Sequence, residues 1–206
     1  MANLYDKYVL PKVVNWACKS KPTMYQRAKI IPLAFGNVLE IGIGSGLNLN
    51  YYDNKKVDNL TGIDPSIEIW ELNKNKIEHL KFDFNFVKAF AEELPFQDNE
   101  FDNLVITYSL CTIKDPQTAL TEVIRVLKPN GKLLFCEHGL APDDHIAYWQ
   151  NKINPYWKRV GGGCNLNKNI PQLITKNGFK ITQLDTMYIP GWKPASYNYW
   201  GVAEIK

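Results

Sequence analysis

What the sequence lacks narrows the choices first. Its four cysteines, Cys18, Cys111, Cys136 and Cys164, include no C-x-x-C pair and stand near no run of histidines. Neither a zinc module nor a disulfide framework is written in that spacing. No apolar run approaches the roughly eighteen residues that a membrane span needs. The opening MANLYDKYVLPK has no basic-then-apolar order of a signal peptide, so the expectation is a soluble chain in a reducing cytoplasm. Charge of one sign is scarce as well. The formal net charge is +3 and the lysines are scattered; Lys55-Lys56 and Lys74 with Lys76 read as solvated faces, which argues against nucleic acid as a partner. There are no internal repeats and no low-complexity tracts. The 206 residues, 45% hydrophobic and 22% charged, suit one domain around a single large core. Nothing in them fixes an oligomeric state.

What is present is alternation. From Asn37 onward short apolar runs alternate with helical patterns, as in parallel βαβ units. Strands are predicted over residues 38–41, 59–63, 84–88 and 101–107, the last almost continuously apolar, as a strand covered on both faces should be. After the second strand a helix is predicted from Pro65-Ser66, burying Ile69, Trp70 and Ile77. Asp115 is a good N-cap and Pro116 suits a first helical turn. Leu120, Val123, Ile124 and Leu127 then form one buried stripe, and Pro129-Asn130-Gly131 turns the chain into a strand at 132–136. Two last strands, 179–184 and 199–205, are joined by a Pro/Gly/aromatic loop into which no helix fits, so they should pair as an antiparallel hairpin. Residues 1–35 read as helix broken at Pro11, Pro22 and Pro32, with more tyrosine, plus Trp16, than a surface helix needs. Packing on the sheet edge and a lid over the site both fit.

The stretch VLEIGIGSGLNLNYYD, residues 38–53, poses the functional question. A dinucleotide fingerprint reads G-x-G-x-x-G, with the third glycine inside the helix. Here the glycines are Gly42, Gly44 and Gly46, Leu47 holds that third position, and Glu40 stands just before the turn. A carboxylate beside phosphates would repel them, whereas beside an ammonium or sulfonium it attracts. The turn therefore reads as wrapping a nucleoside with a cationic tail and no pyrophosphate, which describes S-adenosylmethionine. Asp64 ends the second strand about twenty residues on, where a carboxylate can accept both ribose hydroxyls. The sequence DPS equally makes it a helix cap, and its register with the glycines favours the ribose. Ala91 and Glu92 lie at the third strand's C-terminal edge, and Thr107 and Tyr108 leave the fourth strand there too. Gly46, Asn48 and Pro65 complete the expected cofactor-binding set.

VLEIGIGSG, GIDPS, AEELPFQDNEFD and RVLKPNGKLLF stand where the class I S-adenosylmethionine-dependent methyltransferases carry successive motifs, and the chain resembles that family over nearly its full length. The resemblance implies a Rossmann-like α/β fold, a mostly parallel seven-stranded sheet with the last strand inserted antiparallel, and a cofactor lined by Glu40, Gly42, Gly44, Asp64, Ala91 and Glu92. Phe90 stands where many members hold the adenine amino group with an acid, so that bond is absent or comes from Glu92 or backbone. SLCTIKDP, FCEHG, WQNKINPYW and GGGCNL are similar to animal methyltransferase-like proteins that alkylate small thiols. Those proteins carry an apolar N-terminal anchor that is not seen here.

On the acceptor side, methyl transfer is an in-line displacement that needs alignment and exclusion of water. A thiol with a pKa of about 8.5 needs no strong base; a phenol or ammonium would, and His138 or Glu137 at the fifth strand's end is best placed. His138 is the catalytic candidate, with a hydrogen-bonded structural role the alternative, and Glu137 could instead anchor a loop. Cys111 reads as a packing residue. Gly161-Gly162-Gly163 with Cys164 reads as a flap or a helix break, and Trp149, Trp157, Trp192 and Trp200 as an apolar acceptor pocket or as core. With Glu40, Asp64 and Glu92 assigned to the cofactor, no donor cluster of ligand spacing remains and no metal is expected. The expected activity is methylation of a small-molecule acceptor, a thiol first, with a phospholipid amine, a quinone precursor or a catalytically silent cofactor-binding protein as alternatives.

Overall fold

The computed structural model describes Val13, Asn15 and residues 17–71 and 74–206. The expected break at Pro11, Trp16, and the side chains of Lys74 and Lys76 lie outside what is described. Seven strands form one sheet in the order β3-β2-β1-β4-β5-β7-β6. They are β1 Gly36–Ile41, β2 Val57–Ile63, β3 Asp83–Val87, β4 Phe101–Thr107, β5 Leu127–His138, β6 Phe179–Tyr188 and β7 Tyr197–Ile205. The first five run parallel, and β7 is antiparallel to both β5 and β6. That is the expected sheet with its terminal hairpin.

Helices cover both faces because the central strands are apolar on both. In β4, Leu104 and Ile106 face one core with Leu120 and Val123 of α3 (Pro116–Val126) and Ile174 of α5 (Ile170–Lys176). Val105 faces the other, with Ile30 of α1 (Lys21–Ile30) and Trp70 of α2 (Ile67–Glu71). Trp70 also stacks on Phe84 and Phe86 of β3, at 5.0 and 5.1 Å between ring centroids. Asp115 caps α3 as expected, accepting from the amides of Gln117 and Thr118.

The expected breaks at Pro22 and Pro32 are both present: helix at Ala17-Cys18 stops at Lys19-Ser20 before Pro22 opens α1, and α1 gives way after Ile30 to a 3-10 turn, Ile31–Leu33, that holds Pro32; a missing amide costs nothing in a first turn. Several other expectations are corrected. Ile77 is 40% exposed, because α2 ends at Glu71 and a separate 3-10 segment, Lys74–His79, follows. Leu127 begins β5 instead of closing the α3 stripe. Its partner is Phe101, whereas Asn103 already pairs with Lys132, so Pro129-Asn130-Gly131 bulges out of the ladder, as a residue without an amide donor requires. The loop between β6 and β7 does hold a one-turn helix, α6 Lys193–Ser196. The long helix α4, Asp144–Val160, is tied to that turn by buried Gln150, whose Nε2 donates to the carbonyls of Gly139 and Pro194 at 2.9 Å. No helix among the described residues is long and apolar enough to cross a membrane.

The fully buried Leu120 joins α3 to the sheet. Leu120→Ala should destabilise the protein by about 2–5 kcal/mol, transfer and cavity costs together, read from urea unfolding midpoints. A loss below about 1 kcal/mol would mean that the α3 interface collapses around the gap.

Candidate active site

In open α/β sheets the crevice lies at the C-terminal edge where the strand order reverses. Here that point is between β1 and β4, and a cavity of about 390 Å³ opens there. A hollow of about 670 Å³ between Leu94 and Glu100 lies before the start of β4, away from this edge, and brings no group of reactive side chains together.

The glycine turn forms one wall. Gly42 has φ +69°, and a Cβ there would fall 2.1 Å from Ser109 Oγ, so only glycine lets the turn pass the β4 exit. Gly44 lines the cavity and its amide donates to Asp64 Oδ2 at 3.0 Å. The other oxygen, Asp64 Oδ1, accepts from the Ser66 amide at 2.8 Å. Asp64 is thus a turn residue and not the helix cap that DPS suggested, since Ser66 Oγ accepts from the Ile69 amide of α2, and it lines the cavity beside Pro65. Burial raises its pKa despite those two amides. Phe90, Ala91 and Glu92 line the next wall, with Phe90 63% exposed. Thr107 and Tyr108 close the floor. Tyr108 adopts φ +51°, a strained state for a bulky residue that surrounding contacts must hold. Its hydroxyl donates to Asn198 Oδ1 at 2.6 Å and its amide to the Cys136 carbonyl at 2.9 Å.

Glu40, Gly46 and Asn48 were expected against the cofactor, and none of them lines the cavity. They build a layer beneath the turn. Asn48 Nδ2 donates to Glu40 Oε1 and the Tyr52 hydroxyl to Glu40 Oε2, at 2.9 and 2.7 Å. Burial pushes the Glu40 carboxyl up to about 7, although these bonds and nearby Arg27 pull it down. At Gly46, φ is +67° and a Cβ would strike Leu49 Cδ1 at 2.7 Å, so that glycine serves the bend. The physical reason is alternation: in β1 Glu40 points into the helical layer while the cavity opens past Ile41.

The residue missed by sequence is Arg27 of α1. It is buried yet lines the cavity. Its Nη1 donates to Asn48 Oδ1 at 2.9 Å and to Thr107 Oγ1. Its guanidinium lies 4.8 Å from the Tyr108 ring centroid, and its Nε has no partner among the described residues. Arg27 lies three residues before Ile30 and four before Ile31, both fully buried, and that helical spacing could have placed it inward. Asn15 and Cys18 also line the cavity, and Ser45 Oγ donates to Asn15 Oδ1. Among the described residues of the N-terminal segment, Asn15, Cys18 and Arg27 border the cavity and Ile30 packs in the core.

Neither base candidate faces the cavity. Glu137 Oε1 accepts the amides of Ser109 and Leu110 at 2.7 and 2.8 Å, the loop-anchoring role. His138 Nε2 lies 3.1 Å from Cys164 Sγ, which is 3.8 Å from Cys111 Sγ. Burial opposes charge on His138, but the Cys164 thiolate outweighs it and raises the pKa. A hydrogen bond from Cys111 chiefly pulls the Cys164 thiol down, while the same contact pushes Cys111 up. The expectation that no donor cluster exists is thereby corrected: the three ligand atoms lie within 4.8 Å of one another. Positions 111, 138 and 164 hide this, and only the adjacency of β4 and β5 brings the first two together. The glycines after α4 end that helix, and Gly161 and Gly162 also line the cavity. None of Trp149, Trp157, Trp192 and Trp200 does, so the tryptophan pocket is not formed; Trp149 and Trp192 are 41% and 49% exposed.

A family described as a methyltransferase domain matches residues 39–135. The sheet order, the glycine turn and Asp64 at the end of β2 define a class I S-adenosylmethionine-dependent methyltransferase. A SAM-dependent methyltransferase from Methanosarcina mazei shares the fold, with TM-score 0.65 and 22% identity over 82% of this chain and 93% of that one. Thiol S-methyltransferase TMT1B of Homo sapiens is 32% identical over 89% of this chain and 77% of its own length. The same enzyme of Rattus norvegicus is 34% identical over 79% of this chain, which spans 65% of that relative's length. The chain belongs to the class I S-adenosylmethionine-dependent methyltransferases, close to the thiol S-methyltransferase relatives among them. Its cofactor is S-adenosylmethionine, and the cavity fits it: a glycine-walled turn, a carboxylate at the end of β2 and a buried cation whose Nε has no partner among the described residues.

Glu40 gives a pH signature. A carboxyl whose folded pKa is about 7, against an ordinary 4.5, binds its proton more tightly when folded. Its contribution is complete below the unfolded value and is lost as pH rises toward 7. Glu40→Gln should flatten the stability decline in that window by up to about 1.4 kcal/mol per pH unit, measured by urea unfolding. Parallel pH profiles for the two proteins would assign Glu40 an ordinary pKa.

Proposed function

We propose that this protein methylates a small thiol. The observation that carries this reading is that the two bases at the end of β5 are turned away from the cavity. Glu137 is committed to the Ser109 and Leu110 amides and His138 to Cys164. An amine or phenol would need one of them, whereas a thiol with a pKa of about 8.5 supplies its own thiolate. The likeness to thiol S-methyltransferases over most of the chain points the same way. His138 is then a supporting residue, not the catalytic base the sequence offered.

The cofactor supplies an electrophilic methyl on a sulfonium sulfur. Around it, Asp64 accepts the ribose hydroxyls, since each of its oxygens has a lone pair beyond those that the Gly44 and Ser66 amides occupy. Arg27 would offer its Nε, which has no partner among the described residues, to the carboxylate of the amino-acid tail, a charge-assisted bond in a buried setting. Ala91 and Glu92 border the base, and Gly42, Gly44, Thr107 and Tyr108 shape the space for the sulfonium. The acceptor enters past Cys18, Thr112 and Gly162, which also line the cavity.

S-adenosylhomocysteine should bind with measurable heat and NAD should not, because Leu47 replaces the glycine that a pyrophosphate turn needs. Asp64→Ala should weaken S-adenosylhomocysteine by about 1.5–3 kcal/mol; an unchanged dissociation constant would leave Asp64 as a turn residue only.

The acceptor is tested by mass spectrometry with methyl-labelled cofactor and parallel alkyl thiol, phospholipid amine and quinone precursor substrates. Label should appear in the thioether, at a rate that rises with ionisation of the thiol. Label only in the amine or the quinone ring would reassign the acceptor. Cofactor binding with label in none of the three would make this a silent binding protein.

A further inference from the structure

The cluster at the C-terminal edge of β4 and β5 is not needed for either the cofactor or the fold as described. Cys111 follows β4, His138 ends β5 and Cys164 follows the glycines after α4, so three separate elements deliver two sulfurs and an imidazole to one point. We propose that Cys111, His138 and Cys164 bind one thiophilic divalent cation of the zinc class, with its fourth position open to the acceptor thiol.

Four observations support the site. Two thiolates on tetrahedral zinc sit about 3.8 Å apart, and the two Sγ atoms are 3.8 Å apart already. The imidazole reaches in with Nε2, 3.1 Å from Cys164 Sγ; a nitrogen and a sulfur on zinc need about 3.5 Å, an opening of a few tenths of an ångström. His138 Nδ1 has no partner among the described residues, so the ring's side-chain contact is made by Nε2 alone, the nitrogen that faces the sulfurs. Finally, two thiolates, a neutral imidazole and a dication sum to zero, so a buried site can be filled without leaving an uncompensated charge. Two thiolates with one imidazole and an open position form a known donor set for catalytic zinc.

The position relative to the cavity gives the cation a task. Cys111, His138 and Cys164 do not themselves line the cavity, but Thr112, next to Cys111, and Gly161 and Gly162, just before Cys164, do, and Gly161 packs against Cys164, so the cluster lies directly behind that wall. A thiol entering there loses its proton to solvent as its sulfur binds the cation. The sulfur lone pair then takes the methyl group, the methyl–sulfonium bond breaks with its electrons left on the departing thioether, and the neutral methylated product dissociates as a weak ligand. This task rests on the thiol reading above; the existence of the site does not.

The two parts separate experimentally. The full chain, reduced and stripped by chelator, is titrated with Co²⁺ and then with Zn²⁺ in competition. One equivalent should give a thiolate-to-cobalt charge-transfer band that zinc displaces. Cys164→Ser should weaken binding by about 100-fold or more, with S-adenosylhomocysteine affinity unchanged as the check on folding, and His138→Gln should remove the tetrahedral spectrum while sparing part of the band. Cys18→Ser should change nothing in the band. An alkyl thiol should shift the spectrum of the cobalt protein, and stripping should abolish thiol turnover until zinc is restored. Absence of a band in the well-folded wild type, or a band that survives Cys164→Ser, overturns the site and leaves the thiol reading standing. A band that needs Cys18, or full thiol turnover by stripped protein, overturns the open position. A normal band with neither a thiol-induced shift nor any thiol turnover defeats the thiol reading and leaves the site in place.

Discussion

The buried guanidinium of Arg27 is the interaction on which the rest of the site depends. A charge this deep is tolerable only if its neighbours answer it, and the answer runs through Asn48 to Glu40 and through Thr107 to the end of β4. The chain of bonds joins α1, the glycine turn, β1 and β4, four pieces far apart in sequence. Remove any of them and a buried donor or acceptor is left alone. The cofactor turn is therefore rigid for an electrostatic reason as much as for a packing one, and one nitrogen of the cation has no partner among the described residues.

The sheet supplies the second constraint. Strand order reverses between β1 and β4, so the loops that leave these strands diverge and open a crevice between them. Gly42 can pass close to Ser109 only because it has no side chain. Glu137 of the neighbouring β5 then holds the Ser109 and Leu110 amides. Tyr108 is held between those fixed points in a backbone conformation it would not choose alone, with its ring under Arg27. The cavity floor is thus set by neighbours on both sides, and little is left for the ligand to organise.

Much of this was legible in the sequence, for reasons that can be stated residue by residue. β4 matched to its ends because a run of apolar residues between polar turns has one interpretation, and α3 matched because a cap, a proline and a stripe agree. The class of cofactor followed from Leu47 standing where a third glycine would be. Glu40 misled, since its type was read correctly and its direction was not: alternation along β1 sends it beneath the turn. Arg27 escaped notice because a single arginine in a mixed helix looks like surface until Ile30 and Ile31 fix the buried face. The pocket of tryptophans failed because aromatic content says nothing about where rings converge, and Trp157 pairs with Trp192, 5.4 Å between centroids, with neither ring lining the cavity. The meeting of Cys111, His138 and Cys164 depends on a long-range return of the chain after α4, which no local pattern encodes.

The bulge at Pro129-Asn130-Gly131 has a consequence for how this chain can change length. From Lys132 onward each residue of β5 has a fixed side of the sheet, and its last two carry the loop anchor and the imidazole in succession. Gaining or losing one residue inside that run would exchange the two directions and dismantle both groups at once. The bulge already lies outside the ladder, between a helix and the aligned part of the strand. It can absorb an inserted or deleted residue with the downstream register intact, and so acts as the expansion joint of the sheet.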